Sequence, residues 1–167
     1  MNYFELFNLP VAFKIDLGQL RQAFMNIQRA SHPDKFAQGT EMEQEMALEN
    51  SAIANKAFSL LSNKELILPY VLEISGTIVA DEKYNLPPDF LMEMMDFNEA
   101  WMDAETGQEK QTIINQINAI KNEILSPIST YLEANSTANI PQEGMLQIKD
   151  YYYKKKYLDR ILEDFHH

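Results

Sequence analysis

Apolar residues recur along the chain at spacings of three and four, and alternating β-branched runs are almost absent, so the pattern predicts helices throughout. Tyr3 to Leu9 reads as a short first helix, ended by Pro10. Asp16 reads as an N-cap, with Gln19 three residues on in the arrangement of a capping box. Behind it Leu17, Leu20, Phe24 and Ile27 mark an amphipathic helix. That helix must stop near Ser31, because Pro33 restricts the residue before it and lacks a donor. After a polar loop from His32 to about Thr40, the next helix carries Met46, Ile53, Ala57 and Leu60 on one face, with Ala54 and Leu61 beside it. Two helices zipped along these stripes form an αα-hairpin whose tip is residues 32–40. A fourth helix is expected from Lys64 to Ser75, ended by Gly76.

Residues 76–88 read as a linker, stiffened at its end by Pro87 and Pro88. Three further helices are expected at about 88–105, 108–134 and 141–165, with Gly107 and the stretch from Ala134 to Pro141 supplying the breaks. The fold class is therefore all-α: an N-terminal region 1–75, the linker, and a three-helix bundle over 89–165. On the first helix of that bundle, Phe90, Met94, Phe97 and Trp101 form one stripe, enough to build the core. Leu91, Met95 and Met102 form a second apolar stripe roughly 100° away, and Met92, Asp96, Glu99 and Asp103 lie beyond it. Two readings stand. Apolar surface bordered by carboxylates marks a partner site, and methionine suits an adaptable one. Alternatively the last helix covers this stripe through Tyr153, Tyr157 or Ile161. The terminal His166 and His167 are either native or the remnant of a purification tag, and carry no weight in either reading.

Composition narrows the function. A chain of 167 residues with 46% hydrophobic content can bury a core. It contains no apolar run near the ~20 residues that a spanning helix needs. Without cysteine, disulfides and thiolate metal sites are excluded. The ordered pattern starts at Tyr3, which leaves no room for a targeting peptide, so a cytoplasmic location is expected. A net charge of -11 argues against nucleic acid, because phosphate binding needs a basic footprint. The first 75 residues hold nine acids and six bases, the remainder sixteen acids and eight bases, so the two regions are suited to different surfaces.

The most informative triplet is His32-Pro33-Asp34 at the hairpin tip. Pro33 fixes the backbone, so that His32 and Asp34 have little freedom to lose on docking. With Tyr3-Phe4-Glu5-Leu6-Phe7 at the start and Asn55-Lys56-Ala57-Phe58-Ser59-Leu60-Leu61 closing the following helix, the first region resembles the J-domain family. One departure is Ser31, where that family usually has an aromatic residue. The resemblance implies that Asp34 engages a charged network on the nucleotide domain of a DnaK-type chaperone and helps trigger ATP hydrolysis. His32, Pro33, Asp34 and Lys35, with Arg21 and Arg29 on the preceding helix, are the expected chaperone-binding residues. Two other chemistries compete for the triplet. Metal ligation by His32 and Asp34 lacks further ligands in a chain with three histidines and no cysteine. An acid–base pair with Ser31 as nucleophile lacks triad geometry and an oxyanion hole. No metal, no cofactor and no enzymatic activity are expected.

Asn2-Tyr3-Phe4, His32-Pro33-Asp34-Lys35-Phe36-Ala37, Phe90-Leu91-Met92-Glu93 and Lys156-Tyr157-Leu158-Asp159-Arg160 together are similar to the bacterial HscB family of co-chaperones, over nearly the whole length. That resemblance implies two protein partners, a DnaK-like chaperone of the HscA type and an iron–sulfur scaffold protein of the IscU type. It carries the scaffold-binding role to Leu91, Met92, Met95, Asp96, Glu99, Asp103 and Tyr157. Asp96 and Asp103 stand where the family usually has glutamate, which keeps the charge and shortens the reach. The alternative is a general J-domain protein that presents unfolded clients on its methionine-rich surface.

Overall fold

A computed structural model describes residues 1–166; His167, and with it the origin of the terminal histidine pair, lies outside the described residues. The described chain is helical, in two compact units. The first comprises Met1–Ser75 with Tyr131–Asn139, the second Gly76–Thr130 with the chain from Ile140 on.

The first unit opens with α1 (Tyr3–Leu6), three residues shorter than the periodicity predicts. Its start is fixed by a capping box in which Glu5 N–H donates to Asn2 Oδ1 (2.9 Å) and Asn2 N–H to the Glu5 carboxylate (3.2 Å). Its end is fixed by Asn8, which takes the left-handed conformation (φ 55°) while Asn8 N–H donates to the Glu5 carbonyl and Leu9 N–H to the Phe4 carbonyl. These are the two bonds of a Schellman motif, and asparagine supplies its left-handed residue.

In α2 (Leu17–Ser31) Asp16 caps the first turn through a bond from Gln19 N–H (3.1 Å). Only this half of the expected box forms; the complete box belongs to the unread pair Thr40 and Glu43, which opens α3 (Glu41–Leu61). The two helices run antiparallel, as expected: Phe24 meets Phe58 at 4.5 Å, and about one turn on, Gln28 bonds Ser51 and Asn55. The seam on α3 differs from the expected one. Ala47, Ala54, Ala57 and Leu61 are buried, whereas Met46 and Ile53 are exposed. Large apolar residues weight a periodicity reading, but the small buried residues Ala47, Ala54 and Ala57 are what allow close helix approach. In α4 (Lys64–Ile74) Ile67, Val71 and Leu72 are buried, and Gly76 at φ 77° stops the helix where expected. Tyr70 ties α4 to α1, its hydroxyl accepting from Tyr3 N–H (2.7 Å) and its ring stacking on Tyr3. Residues 131–139 join this unit through Thr137 N–H, which donates to the Val11 carbonyl (2.8 Å).

The second unit is built on α5 (Pro88–Asp103), α6 (Gly107–Leu125) and α8 (Gln142–Phe165); the short α7 (Ser129–Glu133) passes from it into the first unit at Tyr131. The expected helix 108–134 is broken: α6 ends at Leu125 and a 3₁₀ turn, Ser126–Ile128, follows. Pro127 is the cause, because it has no N–H to give the Glu123 carbonyl and its ring crowds that turn. Phe90, Met94, Ile113, Ile117, Leu158 and Ile161 form the core, and Phe97 and Trp101 pack against it, so the first α5 stripe faces inward as predicted.

Residues 76–88, read as a linker, are strapped along α8. Ile78 is buried and Leu86 packs on the core. Tyr84 stacks on Tyr153 at 4.5 Å and donates to Asp150 (2.7 Å), while Tyr153 donates to Glu82 (3.1 Å), which also binds Lys149 (2.6 Å). The Lys149 bond holds the Glu82 carboxyl below its ordinary pKa of 4.5 despite some desolvation, with Tyr153 adding to the effect. Burial, then the bonds to Asp150 and Glu82, pushes Tyr84 and Tyr153 up from 10.0 to about 12. A depressed carboxyl stabilises the fold above its ordinary pKa and loses that contribution as pH falls through the folded value. A raised phenol stabilises the fold below 10.0 and loses it as pH rises through about 12. Amide exchange across residues 79–86 should therefore stay slow at neutral pH and accelerate at both extremes. Tyr153→Phe removes a donor to Glu82, so it should move the acidic limb to higher pH; an unmoved limb would show that this bond does not hold the strap.

Candidate functional site

His32 terminates α2 and at the same time caps a 3₁₀ turn, Pro33–Phe36, with proline at the position where a missing N–H costs nothing. Its Nδ1 accepts from Asp34 N–H (3.2 Å), and its carbonyl accepts from Lys35 N–H (3.0 Å). The far side of the loop is equally fixed. The Gln44 side-chain amide donates to the carbonyls of Phe36, Ala37 and Gly39 (3.0, 3.3 and 3.4 Å). A Cβ at Gly39 would press on the Glu43 carboxylate that completes the α3 cap, so a larger residue there would displace that side chain. The tip is thus held by its own hydrogen bonds while its side chains stay free: those of His32 and Asp34 are 59% and 93% exposed.

Arg21 and Arg29 are exposed on α2 and Lys35 in the turn, and none of the three forms an ion pair among the described residues. Eight residues of helix separate the two arginines by about 12 Å, so they line one approach to the tip rather than one point. Ser31 is buried at the last turn of α2, so its hydroxyl is not presented in the loop as a nucleophile would be. Among the described residues no three histidine, aspartate or glutamate side chains converge as metal ligands. No helix among them is long and apolar enough to cross a membrane.

On α5 the second stripe stands open to solvent. Met92, Met95 and Met102 are 64%, 65% and 83% exposed, and Leu91 is half-buried. The residues of α8 that could have covered them are engaged elsewhere within the unit: Tyr153 stacks on Tyr84, and Ile161 lies in the core. Asp96, Glu99 and Asp103 are exposed and unpaired among the described residues, and α5 has no basic residue at all. Tyr157 reaches α5 from α8, meeting Phe90 edge-on at 6.0 Å. Two residues that the sequence reading did not assign to this face complete this corner. Phe90 props the Tyr157 ring, and Arg160 lies over it with its guanidinium 5.1 Å from the centroid. The spacing of Tyr157 and Arg160, three residues apart on one helix, was the available signal.

Known proteins carry the same two-part organisation. The family model described as the HSCB C-terminal oligomerisation domain matches residues 86–166. A relative from Shewanella frigidimarina named co-chaperone protein HscB homolog is 31% identical over 144 residues, 83% of each chain. Among solved structures, chaperone HscB from Vibrio cholerae aligns over 99% of this chain and 96% of its own, with TM-score 0.64 and 27% identity. Human co-chaperone protein HscB aligns over 99% of this chain and 80% of its own, with TM-score 0.70 and 25% identity. The fold is thus a J-domain followed by a C-terminal helical bundle.

Proposed function

The chain belongs to the HscB co-chaperone family, and on that premise we propose that it stimulates the ATPase of a DnaK/HscA-type chaperone while delivering an IscU-type iron–sulfur scaffold protein to it. The observation that carries this reading is the pairing, in one chain, of a rigid exposed His-Pro-Asp tip with a solvent-exposed methionine face rimmed by carboxylates. The tip has few degrees of freedom to lose, so its binding energy goes into the contact itself. Asp34 reaches the chaperone's charged network, with Arg21, Arg29 and Lys35 steering the approach. The bases are few and dispersed, so the steering is modest. Leu91, Met92, Met95 and Tyr157 seat the scaffold, and Asp96, Glu99 and Asp103 favour basic surface around that seat. Holding both partners on one chain raises the scaffold's local concentration at the chaperone. The cluster is cargo of the scaffold, and this chain acts as an adaptor without a reaction of its own.

Purified chaperone should turn over ATP faster with this protein present, and faster still when folded scaffold is added. The second reading, a general J-protein, draws on the exposed methionines of α5 and is separated by the same assay. If unfolded polypeptides replaced folded scaffold equally well, the general reading would win.

A further inference from the structure

We propose that Arg160 is a specificity residue of the client face: it props the Tyr157 ring and offers its free N–H groups to a carboxylate on the client. The inference rests on the proposed scaffold-binding role of α5 and deepens it. The geometry is a short stack, with Phe90 edge-on to Tyr157 at 6.0 Å and the Arg160 guanidinium over the same ring at 5.1 Å. Other bases of α8 are already engaged. Lys155, together with Lys121 from α6, holds Asp159, Lys154 holds Asp150, and Lys149 holds Glu82. Lys156 is exposed, but its ammonium lies over Tyr152 and Tyr153. Arg160 forms no ion pair among the described residues, although Glu163 and Asp164 stand one turn further along. An arginine over an aromatic ring keeps its donors available at the edge, in a planar fork that matches a carboxylate.

The chemical consequence is selection. With five acids and no base, α5 repels acidic clients. A client that carries one carboxylate among its basic residues, placed to meet Arg160, is accepted in a single register, because a shifted register would set that carboxylate against Asp96 or Glu99. Arginine is needed for this, since lysine keeps the charge but not the planar fork.

The test measures scaffold affinity for Arg160→Ala, Arg160→Lys, Arg160→Glu and the control Lys156→Ala, each checked by thermal melt and circular dichroism. Alanine should weaken binding about fivefold, in keeping with an exposed cation–π pair plus one charged contact. Glutamate should weaken it further, lysine should recover only part of the loss, and Lys156→Ala should bind normally. The Leu91→Ala/Met95→Ala double variant is measured beside them. If it lost binding while the Arg160 variants bound normally, this assignment would be overturned and the scaffold-binding reading would stand. If neither bound more weakly, both would fall. Full recovery by lysine would leave charge without the fork, and would also overturn the assignment.

Discussion

Replacing His32 with glutamine is expected to abolish stimulation of the chaperone's ATPase while leaving the fold and its melting temperature unchanged. The expectation follows from where the side chain sits. Its one hydrogen bond is the 3.2 Å bond accepted from Asp34 N–H, and more than half of its surface is open to solvent. Substitutions at such positions usually change stability by less than ~0.5 kcal/mol. The tip does not depend on the ring for its shape, because Pro33 and the three bonds from Gln44 hold it independently. Asp34→Asn should behave alike, since it removes the charge that a basic or networked partner surface would read and leaves the backbone donor to His32 in place. Circular dichroism and single-turnover ATP hydrolysis with purified chaperone are the measurements. Normal stimulation by a well-folded His32→Gln protein would remove the triplet from the mechanism.

The triplet was legible in the sequence because it is local: a proline fixes the turn and its neighbours have nothing to bury against. The same is true of the break at Gly76, where a left-handed residue leaves little choice. Long-range packing was less legible. On α3 the apolar residues run nearly all round the helix, so their periodicity could not decide between the seam through Met46 and Ile53 and the one through Ala47, Ala54 and Leu61. The choice is made by packing against the partner helix, where Phe24 meets Phe58 and Gln28 bonds Ser51 and Asn55. Pro127 was visible in the sequence but was overridden by the apolar pattern around it, and the structure gives it its usual weight. Residues 76–88 were read as a linker because Gly76 ends the preceding helix and Pro87 and Pro88 open the next region. Tyr84 and Glu82 find their partners about 70 residues away, at a range that composition cannot anticipate.

On α5 the legible part was the phase of the two stripes, and the illegible part was which of them α8 would cover. That outcome sets the other large effect. A Leu91→Ala/Met95→Ala protein should fold normally and lose most of its scaffold binding. Met95 is 65% exposed and Leu91 half-buried, so truncation opens no cavity of the kind that destabilises a core. In a complex the same two residues would sit at the centre of the buried patch, where truncation costs on the order of 1–2 kcal/mol each and acts mainly by speeding dissociation. The carboxylates of Asp96, Glu99 and Asp103 occupy the rim. Asp96→Asn should therefore lower the association rate at low ionic strength, with an effect that fades as salt screens charges beyond about 10 Å. Binding kinetics across a salt series separate the two mechanisms, and a thermal melt of the double variant guards against trivial unfolding. A large drop in melting temperature would place Leu91 and Met95 in the core after all. Unchanged scaffold affinity in a folded double variant would mean that the client docks on another face.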